Sequence, residues 1–210
     1  DWSSDVCSSD LARDRGADVL LIAARVTASL PEGVEIVRAM SVAALEAELH
    51  RVFPARSSQQ GATEASAAHA AGVDALIAAA AVSDFRPAGG PATEKLRRDG
   101  ELVLRLESTP DLLAGVARRL GPRATRSTIL VGFSAEGGGG PRAAEKLATK
   151  DLDLVVANDV TAPGIGFESP DNAATITAAD GTTTSVGPAP KRVVADAILD
   201  RVAALLAAQR

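Results

Sequence analysis

Aromatic side chains are nearly missing from this sequence: there is no tyrosine, one tryptophan and four phenylalanines, 2% of a chain that is 46% apolar. Its core must therefore be built from Ala, Val, Leu and Ile, whose small volumes suit close packing of helices on a sheet. Cysteine is scarcer still. With Cys7 alone, no disulfide can close within the chain and no cysteine metal cluster can form, so no metal-ligating set is assigned and a reducing cytoplasm is the expected compartment. A basic stripe is absent too. The net charge is −5 and the 22 Lys and Arg are dispersed over 210 residues, which argues against a nucleic-acid partner. No apolar run approaches the roughly 18 to 20 residues that span a bilayer, and the start has neither a basic nor a continuous apolar region, so neither membrane nor export is expected. Nor does any Gly-x-Gly-x-x-Gly stand between an early strand and helix, which ranks a dinucleotide-binding oxidoreductase low.

What is present is alternation. Residues 1–10 hold the only Trp and Cys, repeat Ser-Ser-Asp and show no apolar period, so they read as a segment foreign to the domain that starts at Leu11. A helix end at Arg13 to Gly16 leads into a buried strand over Asp18 to Ala24, and a second strand over Val34 to Arg38 leads to Ser41, a good N-cap for a helix through Val52. Residues 54–65 read as a loop before a short helix at 66–71. Ala75 to Val82 is apolar at consecutive positions, which predicts a strand covered on both faces. The spacing then predicts a strand at Leu102 to Leu106, a helix over Pro110 to Leu120 capped by Thr109, and a strand at Thr128 to Phe133. Next come a helix over Pro141 to Lys150, a strand at Leu154 to Ala157, and a hairpin over Ala173 to Val186 turning at Asp180-Gly181. The last helix, Lys191 to Ala208, carries Val194, Ile198, Val202 and Leu205 on one stripe. The fold class is α/β: a Rossmann-like, doubly wound, mostly parallel sheet with a C-terminal hairpin, read as an arm with few local partners that pairs with a second subunit.

Ligands bind such sheets at the carboxyl ends of the strands. There Ala78, Ala79 and Ala80 lead to Asp84 and let a flat ligand approach the backbone, the carboxylate accepting from an amino or hydroxyl group. Lys95 is a candidate phosphate contact, against the commoner reading of a solvated lysine. Pro110, Asp111, Leu112 and Leu113 open a helix whose first N–H groups attract phosphate. Phe133 offers an aromatic face for a base or, more commonly, a core residue. Lys146 and Lys150, four apart, share a helix face suited to a triphosphate, though solvated lysines are the plainer reading. His50 and His69 lie outside these motifs, and Gly137 to Gly140 reads as a loop.

Four segments occur in one order: Ala80-Ala-Val-Ser-Asp-Phe-Arg-Pro87, Gly132-Phe-Ser-Ala-Glu136, Lys146-x-x-x-Lys150 and Ala157-Asn-Asp-Val160, followed by Gly164-Ile-Gly-Phe-Glu-Ser-Pro-Asp-Asn-Ala-Ala174. That order resembles the CTP-dependent phosphopantothenoylcysteine synthetase family of coenzyme A biosynthesis. The resemblance implies ligation of 4′-phosphopantothenate to L-cysteine through an acyl-cytidylate, releasing pyrophosphate and CMP, with Mg²⁺ on the triphosphate. It implies that Ala78 to Ala80 and Asp84 contact cytidine, that Lys95 and Pro110 to Leu113 line the CTP site, that Phe133 packs on the nucleotide and that Lys146 and Lys150 hold phosphate. Lys95 and Asn158 are its catalytic candidates, and Asp159 a site-wall residue. It further implies a homodimer through Ala173 to Val186, and FMN only where a decarboxylase half accompanies the domain. Family members open with a strand, a Gly-Gly-Thr-like turn and an Asn-x-Ser-Ser-Gly-Lys-Met-Gly segment, none of which is present here. The expectation is therefore a domain over 11–210 lacking a central strand and its substrate loop, the alternative being a non-catalytic nucleotide-binding or dimerisation remnant.

Overall fold

A computed structural model describes the chain except residues 1–2, 25, 27–28, 55–71, 91, 93, 99, 137–140, 160–168, 170 and 210. The expected loop and helix at 54–71 beyond Pro54, the glycine run, His69 and most of the 164–174 motif thus lie outside the described residues. Helix α1 (Ser3–Asp14) precedes β1 (Leu20–Ala23) and β2 (Glu35–Arg38), which pair in parallel. Gly16, at φ 87°, stops α1 as the sequence predicts. Helix α2 (Val42–Val52) starts where Ser41 accepts a hydrogen bond from Ala44 N–H at 3.1 Å.

The main sheet runs β3-β6-β7-β8-β9. Its strands β3 (Ala75–Ala78), β6 (Ile129–Glu136) and β7 (Leu154–Asp159) are parallel, while β8 (Asp171–Ala178) and β9 (Thr183–Pro190) follow antiparallel. Alternation divides these strands between two cores. Leu76, Leu130 and Val155 face α2, α3 (Leu112–Leu120) and α4 (Pro141–Thr149) through Leu49, Val116 and Leu147. Ile129, Val131, Leu154, Val156 and Ile176 face α5 (Lys191–Ala208) through Val194, Ile198 and Val202. Helices thus cover both faces, the doubly wound arrangement expected. Gly132 lets α3 sit close, since a Cβ there would stand 2.8 Å from Leu152 and 3.1 Å from Leu113.

Several expectations are corrected. β3 ends at Ala78 and all four of its residues are only half-buried, because among the described residues β6 is its one strand partner and its other edge is unpaired. The strand placed at Leu102 to Leu106 is instead β5 (Leu106–Ser108), paired with β4 (Phe85–Pro87); Leu102, Val103 and Leu104 are exposed coil, lacking a cover for their apolar side chains. The C-terminal hairpin is no free arm: β8 pairs β7 on one side and β9 on the other, and its buried side chains pack beneath α5. Of the hairpin's two edges, among the described residues only the outer edge of β9 is unpaired. The segment set aside at 1–10 lies mostly in α1, whose Leu11 and Cys7 pack on Ala195 and Leu199 of α5. Arg15, just past α1, holds that contact with ion pairs to Asp196 and Asp200 of 2.8 Å each.

At the opposite end of the strands from the candidate site, Arg126 is buried. Its guanidinium bonds Asp153 at 2.7 Å, the Asp151 carbonyl at 2.6 Å and the Thr128 carbonyl at 3.2 Å, while Asp153 also accepts from Leu130 N–H at 2.8 Å. This clasp fixes β6 against the start of β7.

Candidate functional site

The carboxyl ends of β3, β6 and β7 collect most of the residues singled out by sequence. From β3 the chain passes half-buried Ala78, buried Ala79 and exposed Ala80 to Asp84. A Ser83 turn, its hydroxyl donating to the Phe85 carbonyl at 2.8 Å, delivers the chain into β4. The Asp84 carbonyl accepts from Thr109 N–H at 2.8 Å, so the β3 exit and the α3 entrance are joined by backbone.

Here the helix start differs from expectation. Asp111, not Thr109, is the N-cap: its carboxylate accepts from Ala114 N–H at 3.0 Å, and the helix proper begins at Leu112. The Thr109 N–H is bonded to Asp84 and its hydroxyl accepts from no helix N–H, while Asp111, a stronger capping residue than threonine, takes the role. A carboxylate therefore occupies the helix entrance, where a phosphate contact was expected.

Lys150 offsets that charge, its Nζ lying 2.9 Å from Asp111. Burial alone would raise the Asp111 pKa, but the Ala114 N–H, Lys150 and the nearby Arg118 charge outweigh it and hold the carboxyl below its ordinary range. A depressed carboxylate stabilises the fold above the unfolded-state pKa and loses that contribution as pH falls through the lower folded value. Replacing Asp111 with alanine is accordingly expected to cost about 1 kcal/mol at pH 7. That difference should shrink as pH drops below about 4, as read by urea unfolding at a series of pH values.

Lys146 stands one turn before Lys150 and donates to Ser134 Oγ at the end of β6. Ser134 was not singled out by sequence. Its signal was alternation: next to Phe133, it must face the opposite side of the sheet, toward α4. Phe133 instead lies half-buried on the α5 face with Val131 and Val156. The candidates thus straddle the sheet end, lysines on one face and the aromatic ring on the other, as a ligand lying across the strand tips would require. Lys95 is not brought in. It is exposed coil and, among the described residues, makes no hydrogen bond or ion pair. Asn158 is buried in β7, level with Ala135 of β6.

A groove of about 670 Å³ between α2 and α3 is lined by Pro110, Asp111 and Leu112 together with Glu46, His50, Arg118 and Arg119. The Arg119 guanidinium donates to His50 Nε2 at 2.6 Å.

Residues 6–206 match the family described as DNA/pantothenate metabolism flavoprotein C-terminal domain. Among curated proteins, the coenzyme A biosynthesis bifunctional protein CoaBC of Mycobacterium tuberculosis (strain H37Rv) is 36% identical over 207 residues, 94% of this chain and 45% of that protein. The Bacillus subtilis (strain 168) protein of the same name is 34% identical over 199 residues, 94% of this chain and 44% of its own. The chain therefore spans about half the length of the curated relatives it matches. Among solved structures, the C-terminal domain of a CoaBC protein superposes with a TM-score of 0.70 at 23% identity, covering 97% of this chain and 82% of that one. A DNA/pantothenate metabolism flavoprotein from Streptococcus pneumoniae gives 0.68 at 18% identity, covering 95% and 86%. These likenesses carry the fold.

Proposed function

The chain belongs to the DNA/pantothenate metabolism flavoprotein C-terminal domain family, and from that premise we propose that it houses the ligase step of coenzyme A biosynthesis, joining 4′-phosphopantothenate to L-cysteine at the cost of CTP. In this reaction the substrate carboxylate attacks the α-phosphate in line, pyrophosphate leaves, and an acyl-cytidylate forms. The cysteine amine then attacks the acyl carbon and CMP departs, leaving an amide. A carboxylate is already a nucleophile at neutral pH, so the protein's task is to position it and neutralise charge. Ala78 to Ala80 and Asp84 take the cytidine, Phe133 packs on it, and Pro110 to Leu113 wall the site. Asp111 orients Lys150, which with Lys146 grips phosphate oxygens. Lys95 is proposed to reach the reacting phosphate from its exposed segment. Mg²⁺ arrives on the triphosphate as the substrate's ion, and FMN is assigned to no residue of this chain.

The observation that supports this reading best is the gathering of three contacts at the carboxyl end of the sheet: Asp84 with Thr109, Asp111 with Lys150, and Lys146, one helical turn before Lys150, with Ser134. Pyrophosphate release tests it, measured on the chain alone and on the chain joined to the segment that precedes the matching region in its relatives. Release that needs both CTP and 4′-phosphopantothenate, in either form, is the expected result. Absence of release from both forms, each shown to be folded, would overturn the ligase reading and favour a non-catalytic nucleotide-binding role. Among the described residues no helix is long and apolar enough to cross a membrane.

A further inference from the structure

Among the described residues three buried side-chain oxygens have no hydrogen-bond partner: Thr109 Oγ1, Asn158 Oδ1 and Thr177 Oγ1. Thr177 lies in mid-strand opposite Val155, away from any candidate residue. The other two stand at the carboxyl end of the sheet. Asn158 is the sharper case, because a residue only 6% exposed with an unpaired amide oxygen carries a desolvation cost that a structural role does not explain.

Its position narrows what would repay that cost. Along β7, Leu154 and Val156 face α5, and alternation puts Asn158 on the same face. On β6 the residue level with Val156 is Phe133, so Asn158 is the diagonal neighbour of the Phe133 ring on that face, one step nearer the strand tips. A flat heterocycle packed on Phe133 would therefore present its edge to Asn158. The unpaired atom is an acceptor, and it calls for an N–H on that edge.

We propose that Asn158 is a nucleobase-specificity residue, its amide oxygen accepting from the exocyclic amino group of a cytosine packed on Phe133. The inference rests on the nucleotide reading above and adds the group that tells an amino-pyrimidine from a keto-pyrimidine. Uracil would set a carbonyl oxygen there instead, and pairing with it would require the Asn158 amide to turn over and present its NH2. A site built around a substrate N–H rejects the analogue lacking it more strongly than one that only excludes bulk.

The test uses the chain as it stands and measures binding of CTP and UTP, each with Mg²⁺, by calorimetry. The parent is expected to prefer CTP by at least roughly tenfold, and Asn158→Leu, similar in size but without an acceptor, to lose most of that preference mainly through weaker CTP binding. Asn158→Asp, which keeps an acceptor, is expected to retain the preference. A merely structural Asn158 would weaken both nucleotides alike and leave the ratio unchanged, and that result overturns the proposal. Should Asn158→Leu fail to fold, the parent still decides. Its Asn158 side-chain amide resonance is expected to move on addition of CTP and not of UTP, and equal movement with both, or none with either, overturns the assignment. Failure of the parent to bind either nucleotide overturns the nucleotide reading itself, an outcome distinct from binding without discrimination.

Discussion

Replacing Lys146 with alanine is expected to lower the rate of CTP-dependent pyrophosphate release by a factor of about 10² to 10³, the cost of removing one preorganised donor from a site where charge develops. Lys146 is the better placed of the two lysines. It leaves α4 half-buried and reaches Ser134 at the tip of β6, whereas Lys150 is drawn toward Asp111. A phosphate held by both lysines would sit between α3 and the end of β6. Lys150→Ala should therefore cost less in turnover, and more of its effect should appear as a higher KM for CTP. The measurement is steady-state kinetics in the form of the protein that turns over, beside a thermal melt of each variant. Parental turnover in a folded Lys146→Ala variant would make this lysine part of the solvated surface and remove it from the site.

The second large effect is on stability. Arg126→Leu is expected to cost about 3 to 5 kcal/mol, because it strips the partner from a buried carboxylate. The Arg126 side chain is 2% exposed and that of Asp153 9%. Once the guanidinium is gone, Asp153 keeps only the Leu130 N–H among its described partners, and the Asp151 and Thr128 carbonyls lose a donor. The double variant Arg126→Leu/Asp153→Leu should lose less than the two single variants summed, since no unpaired charge is left behind. Urea unfolding of the four proteins measures this. Additive losses would show that the clasp is not a unit.

The contrast between these two regions explains how much was legible in the sequence. Elements set by local chemistry were readable: Ser41 caps α2, Gly16 stops α1, and Asp180-Gly181 turns the hairpin between β8 and β9. The α5 stripe was readable too, since Val194, Ile198 and Val202 are buried together. What failed was decided by distant partners. Thr109 stands just before a proline suited to the first helical position, yet its N–H is bonded to Asp84, 25 positions earlier, its hydroxyl caps nothing, and Asp111 takes the role. The hairpin read as an arm because its partner β7 is set by sheet order, which no local pattern announces. Arg126 lies in a stretch of charged and small residues that looks solvated, and only the approach of Asp151 and Asp153 buries it. At the candidate site, sequence order named the lysines, Phe133, Asp84 and the α3 entrance. It did not reveal that Asp111 and Lys150 pair, or that Ser134 anchors Lys146.

A nucleoside triphosphate is proposed to lie across the carboxyl ends of β3, β6 and β7. Titration of the isotope-labelled chain with CTP and Mg²⁺, followed by backbone amide NMR, tests it most directly. Shifts concentrated at 78–84, 109–114, 133–134, 146–150 and 158, with Arg126 and its neighbours unmoved, are the predicted result. Shifts confined to the Arg126 end of the sheet, or none at saturating nucleotide, would contradict it.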